Sequence, residues 1–382
     1  MLLAGVAGGI AFPILPIVGV QAGLSLPFIG VILAANRAMR VLSSPIVGTL
    51  TDRFGGRRTL IAGLILQCLV MVLFTLGITT RAPGPFFLAG RVLHGPGSAC
   101  VFVAGQALAL HAGGTAHAGR SAATVRAAMS LGIPVGLIAG GLLSDRYGDA
   151  RTFEFAFLGM VLATLLAAFI VPDLRVQVSK RSAFRDLLPA MRNSRLVSLG
   201  ALNFAVSFSA MGMVLTTLSL LVHARGMSVA HMGEKGTTSL FMGVMVVTSS
   251  AAMVAAGRIG DRYHAHGKLA LWGLVLLIPS LLIIALLPTT WGVLAGMIAI
   301  GIAGGALSPA LLTLVGTVLP PHQRGTAVGV LQFFGDVGGT LGPLVGTALL
   351  VGSLRTPYLV AAALVACLVP FAVRLAARGA DA

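Results

Sequence analysis

Runs of about 20 apolar residues, separated by short polar clusters, recur along the whole of this 382-residue chain. That is the length an α-helix needs to cross roughly 30 Å of hydrocarbon. A backbone in that medium must satisfy its own hydrogen bonds, so only helices and closed barrels are open to it. A barrel would show alternating strands of about ten residues, and none are visible. Composition agrees: 57% of residues are hydrophobic, 9% are charged, and the mean hydropathy of +0.99 lies outside the soluble globular range.

Twelve spans are predicted, centred near Gly9, Met39, Leu69, Val101, Leu137, Ala163, Met211, Val246, Ile278, Ala303, Gly338 and Ala363. The first has no basic lead-in and contains Pro13 and Pro16, so it is read as a span and not as a signal peptide. Its abrupt beginning at Met1 leads us to expect a truncated or mis-assigned start.

The net charge of +16 comes without an aromatic and basic platform, which argues against nucleic acid. It is instead distributed by side. One alternate set of loops and helix ends holds most of the lysines and arginines, including Arg53, Arg57, Arg58, Lys180, Arg181, Arg258 and Arg262. The other has Arg81, Arg146, Arg151, Arg225, Lys235 and Arg355. This bias places the first set, with both termini, in the cytoplasm of a bacterial inner-membrane protein. Trp272, Trp291, Tyr147, Tyr263 and Tyr358 fall near span ends, as interfacial rings do. Cys68, Cys100 and Cys367 have neither disulfide nor metal spacing.

A polar stretch, "PDLRVQVSKRSAFRDLLPAMRNSR" from Pro172, divides the spans six and six. The expected organisation is an N-terminal six-helix bundle (1–171), a cytoplasmic linker (172–195) and a C-terminal six-helix bundle (196–382). At an offset of 206, "LAGRVLHG" from Leu88 aligns with "LAGMIAIG" from Leu294. The glycine ladder Gly132, Gly136, Gly140 falls on Gly338, Gly342, Gly346, a spacing that lets helices approach closely in lipid. Parallel repeats of six spans with a site between them are a transporter plan.

Charge is otherwise concentrated in three similar stretches: "GTLTDRFGGRR" at Gly48, "GLLSDRYGD" at Gly141 and "GRIGDRYHA" at Gly257. Asp52 and Asp261 are 209 apart, close to the repeat period, and share one face. Asp145 falls on the other face, and its stretch is read as a coincidence.

These elements, taken together and in order, resemble the major facilitator superfamily across essentially the whole chain. Gly48, Asp52, Arg53, Gly55 and Arg57 meet that family's loop signature, with Gly56 where a basic residue is usual; Gly257, Asp261 and Arg262 repeat it in part. "RVLHGPGSA" from Arg91 resembles the span-four motif of proton-coupled members. "GIPVGLIAGG" from Gly132 resembles the antiporter motif with its Gly-Pro interrupted, and "GGTLGPLVG" from Gly338 has that dipeptide intact. The resemblance implies an all-α fold of twelve transmembrane helices in two pseudo-symmetric six-helix bundles, of the drug:proton antiporter type. It also implies that the Asp52 loop acts as a cytoplasmic gate, the alternative being a simple charge anchor.

Ionisable groups inside a membrane are functional candidates by default. Asp336 is a mid-membrane carboxylate about twelve residues into span eleven, suited either to carrying a proton or to pairing with a cavity arginine. Arg37 and Arg40 share a helical face near mid-depth. Arg91 has Met297 as its repeat partner, so one half holds a charge where the other has none. His94 is one turn away, either a proton relay or a packed hydrogen-bonding residue. Asn36, Gln106 and Asn203 are possible substrate contacts or interhelical hydrogen bonders.

No nucleotide loop, metal cluster or catalytic constellation is present in the sequence, so neither an enzyme nor a cofactor is expected. The expected function is secondary transport by a monomer in the bilayer: proton-coupled export of a small molecule by alternating access. The alternatives are proton-coupled uptake of an anionic metabolite and a non-transporting membrane scaffold or sensor.

Overall fold

The computed structural model describes residues 1–112, 114–172, 191–263, 265–318 and 324–378. Most of the expected linker, residues 173–190, and His264 lie outside them. Twelve long helices account for the described chain: α1 (Leu2–Gln21), α2 (Leu26–Phe54), α3 (Gly56–Thr79), α4 (Pro83–Ala112), α5 (Gly114–Tyr147) and α6 (Asp149–Ile170), then α7 (Ser194–Arg225), α8 (Glu234–Tyr263), α9 (His266–Leu286), α10 (Thr290–Val318), α11 (Arg324–Leu350) and α12 (Thr356–Arg378). Each predicted span centre falls in its own helix. Eleven are long and apolar enough to cross a membrane among the described residues. The chain is therefore an all-α, multi-pass membrane protein.

Local chemistry sets the breaks. Gly55 joins α2 to α3 at φ +89, in the region an L side chain rarely enters. Asn193 caps α7, its side chain accepting from the amides of Arg195 (3.0 Å) and Leu196 (3.3 Å). In α2, Pro45 cannot donate within the helix, and the Ser43 and Ser44 hydroxyls donate to the Met39 (2.7 Å) and Arg40 (2.6 Å) carbonyls just before it.

The chain divides into two compact units: Met1–Arg181 with Ala230–Ser239, and Ser182–Val229 with Leu240–Ala382. Within the first, α1 packs on α5, α2 and α3 on α4, and α3 on α6. The second repeats this pattern, with α7 on α11, α9 on α10 and α9 on α12. The α2–α4 contact recurs as α8–α10: a Cβ at Gly95 would meet the Met39 to Arg40 backbone, and one at Gly301 would overlap the Met245 carbonyl. Around Phe74 the first unit's core is aromatic, with Phe87 at 5.7 Å edge-on and Phe153 at 5.2 Å.

Both glycine ladders lie at helix crossings where backbones touch. A side chain at Gly132 or Gly136 would overlap the Leu2 or Val6 carbonyl, and one at Gly140 would sit 2.7 Å from that of Ile10. Gly338 and Gly342 meet the backbone of Phe204, Phe208 and Gly212 of α7 in the same way, and Gly346 meets the side chains of Met213 and Thr217. The two crossings differ in one respect. Val6 and Phe208 are equivalent and 202 residues apart, whereas Gly9 and Gly212 are equivalent and 203 apart. The extra residue falls inside Ser207–Val214, which is coiled as a π-helix.

Trp272, Trp291, Tyr147 and Tyr263 are exposed, as rings at span ends should be. Tyr358 is not. It is wholly buried, with its hydroxyl 3.1 Å from that of Thr217, so its place near the start of α12 serves the interior and not the interface.

Candidate functional site

Among the described residues, the polar groups gather at five places. In the first unit, α4 carries Arg91 and His94, 1% and 5% exposed. The Arg91 guanidinium lies over the Phe12 ring of α1 at 5.2 Å. Close packing at Gly95 brings α2 alongside, with the Arg40 amide nitrogen 2.7 Å from where a Gly95 side chain would begin, and Arg37 one turn away. Asn36 is on the same stretch of α2, its carbonyl 2.8 Å from where a Gly95 side chain would begin. The expected cavity residues Arg37, Arg40, Arg91 and Asn36 and the proton-relay candidate His94 thus lie on facing stretches of α2 and α4, while Gln106 lies three turns further along α4, half-buried. Phe12 and the buried Gln67 of α3, whose Oε1 has no hydrogen-bond partner, complete the polar interior without any sequence signal.

At the α2–α3 turn, Asp52 and Arg53 are exposed, and Arg53 lies over the Phe54 ring at 5.3 Å. Arg57 does something else: its Nη2 donates to the Ala168 carbonyl in the last turn of α6. A cation there serves a helix terminus that has carbonyls to spare. Arg57→Ala is expected to lower stability by about 2 kcal/mol, with Arg57→Lys recovering part, read by chemical denaturation in mixed micelles. In the second unit, the Asp261 carboxylate lies 3.2 Å from His266 Nε2, and Gly257 and Arg262 are on the same last turns of α8. Arg262 lies over Tyr263 at 5.5 Å.

Also in the second unit, Asp336 is half-buried on α11, with the Thr340 hydroxyl donating to its backbone carbonyl at 2.8 Å. Asn203 of α7 donates to the Leu331 carbonyl at 2.7 Å, and a side chain at Gly335 would touch its amide. The second unit therefore brings Asn203 and Asp336 to the same α7–α11 crossing.

The fifth place is the stretch whose sequence reads as a coincidence. Asp145 Oδ2 accepts from the Gly236 amide at 2.7 Å, in the first turn of α8. Asp149 holds the Lys235 ammonium through both oxygens, at 2.6 and 2.7 Å, and also accepts from the Ser144 hydroxyl. The pair is 83–87% buried by side chain, since only 13% of Lys235 and 17% of Asp149 is exposed. All of this lies within the first unit, to which Ala230–Ser239 belongs.

An apolar crevice of about 500 Å³ between α1, α3, α4 and α6 is lined by residues such as Leu3, Leu64 and Ile170 and by none of the candidates above.

Twelve long helices, eleven of them apolar enough among the described residues to cross a membrane, with repeated pairings in two units and charges held inside them, define a membrane transport protein. A sequence profile of the Major Facilitator Superfamily matches residues 1–269 and 201–380, and the chain belongs to that family. Its function is transport, not catalysis. Among curated relatives, "Multidrug resistance protein MdtG" of Salmonella choleraesuis is 26% identical over 359 residues, covering 91% of this chain and 86% of the relative. The protein of the same name from Salmonella paratyphi A is also 26% identical, with the same coverage. Among solved structures, the nucleoside transporter NupG superimposes with a TM-score of 0.78 at 13% identity, over 98% of this chain and 96% of that one. The human organic anion transporter MFSD10 (TETRAN) does so with 0.68 at 19% identity, over 97% and 96%. At those identities the two structures bear on the fold alone.

Proposed function

We propose that this protein is a secondary active transporter that exports a small molecule in exchange for protons by alternating access. The observation that carries the reading is the near full-length match to proteins named for multidrug resistance. Added support comes from Asp336, a half-buried carboxylate midway along α11 beside the Asn203 crossing. A carboxylate there can take a proton from one side and release it to the other as access alternates. The orientation that fits the charge bias has both termini in the cytoplasm of a bacterial inner membrane. Asp52, Arg53 and the Gly55 turn would then lie on the cytoplasmic side as part of its gate. The protein works as a monomer, with the bilayer as its solvent.

In efflux-deficient bacteria, the wild type is expected to lower the accumulation of a fluorescent lipophilic compound several-fold, and a protonophore to reverse this. Asp336→Asn, expressed to the same level in the membrane, should match the empty vector. Full export by that variant would remove Asp336 from the coupling mechanism, and export insensitive to the protonophore would remove the proton.

A further inference from the structure

The apolar crevice of about 500 Å³ in the first unit opens where four helices end together. Of its lining residues, Leu2 begins α1, Leu60 is one turn into α3, Leu108 is one turn from the end of α4 and Ile170 ends α6. Val101 and Ala163 lie seven residues deeper on α4 and α6, so the slot runs about 10 Å along the helices. Those two are buried, whereas Leu2 and Ile170 at the rim are exposed. No polar side chain lines it, so a guest gains there only by hydrocarbon contact. At the surface of a bilayer, the hydrocarbon at hand is an acyl chain.

The rim of the slot is cationic. Arg57 and Arg58 stand in the first turn of α3, just before Leu60. The bond from Arg57 Nη2 to the Ala168 carbonyl fixes that guanidinium beside Ala167, a lining residue. The Arg57 side chain is only half-buried and its Nε has no partner, so donors remain for an anion. Arg58 is exposed. The start of α3 has no side-chain cap and no acid in its first turn, which leaves its amides and the positive end of its dipole uncompensated. Such a rim attracts phosphate and repels lipophilic cations.

We infer that the slot is a binding site for an anionic phospholipid. One acyl chain lies between α1, α3, α4 and α6, and the phosphate sits on Arg57, Arg58 and the first amides of α3. The order of the parts matches the ligand: a charged group at the helix ends, hydrocarbon beneath it. None of the residues proposed above for proton coupling or substrate contact lines the slot, so the inference stands apart from the direction and coupling of transport.

The test is native mass spectrometry of the full-length, delipidated protein, titrated with dioleoyl phosphatidylglycerol, dioleoyl phosphatidylcholine, chain-free glycerophosphoglycerol and tetraphenylphosphonium. One equivalent of phosphatidylglycerol should bind about tenfold more tightly than phosphatidylcholine, and the headgroup without chains should not bind. Ala163→Phe places a ring in the floor of the slot and should weaken phosphatidylglycerol about tenfold, through the methylenes it displaces. Leu165→Phe is the control, because Leu165 is exposed on α6 and does not line the slot; it should bind as the wild type does. Arg58→Gln should weaken phosphatidylglycerol about fivefold and leave phosphatidylcholine unchanged. The inference is overturned if the two lipids bind equally, if the free headgroup binds as well as the lipid, or if Ala163→Phe binds phosphatidylglycerol as Leu165→Phe does. It is also overturned if Ala163→Phe loses tetraphenylphosphonium and keeps the lipid, which would make the slot a site for lipophilic cations. Should Ala163→Phe fail to elute as a single species, an Arg58→Gln protein with the wild-type preference for phosphatidylglycerol overturns the headgroup contact.

Discussion

Gly136→Val is expected to yield almost no folded protein. A Cβ at that position would overlap the Val6 carbonyl and lie 2.7 to 2.9 Å from the Val6 carbonyl carbon and Cα, so the obstruction is backbone and cannot rotate away. Gly132 and Gly140, one turn to either side, meet α1 just as closely. The helix therefore cannot tilt at one contact without opening the others. Substitutions that force packed elements apart belong to the large-effect class, above about 4 kcal/mol. Fluorescence-detected size-exclusion chromatography should show loss of the monodisperse peak. Gly159→Val is the control, because a side chain there meets nothing within 4 Å. A Gly136→Val protein that eluted and unfolded like the control would show that the α1–α5 crossing does not hold the first unit together.

Lys235→Ala should cost about 3 kcal/mol, more than a surface ion pair could. The reason is what stays behind: Asp149, already taking the Ser144 hydroxyl, would be a mostly buried carboxylate without a cation. Adding Asp149→Asn should recover most of the loss, because both charges are then gone. The readout is hydrogen exchange over residues 230–239. The Gly236 amide, bonded to Asp145 at 2.7 Å, should exchange about a hundredfold faster in the single variant and near the wild-type rate in the double. Equal exchange in all three proteins would mean that Lys235 does not hold the start of α8 in place.

The twelve helices were legible because hydrocarbon enforces them: apolar length alone locates each span. The packing of α1 on α5 and of α7 on α11 was legible through glycine spacing, since few other patterns in lipid permit such close approach. The choice of Arg91, His94, Arg37 and Arg40 as candidates followed from the rarity of ionisable groups in so apolar a chain. Other features were hidden by distance along the sequence. Asp149 and Lys235 are 86 residues apart, and neither motif spacing nor repeat register links them. Arg57 belongs to a stretch that resembles a gate signature, but its contact with Ala168 is 111 residues away and depends on where α6 ends. Phe12 is an ordinary apolar residue until a guanidinium is laid on its ring.

The eight π-coiled residues of α7 have a further meaning. Duplication left the second copy with one residue more than the first between two fixed crossings, and the wider coil absorbs it without moving either. A wheel drawn at 3.6 residues per turn through this span would therefore rotate everything after Val214 out of phase with its true neighbours. Numbering offsets transfer a residue's role between the copies only if they change by one at that point.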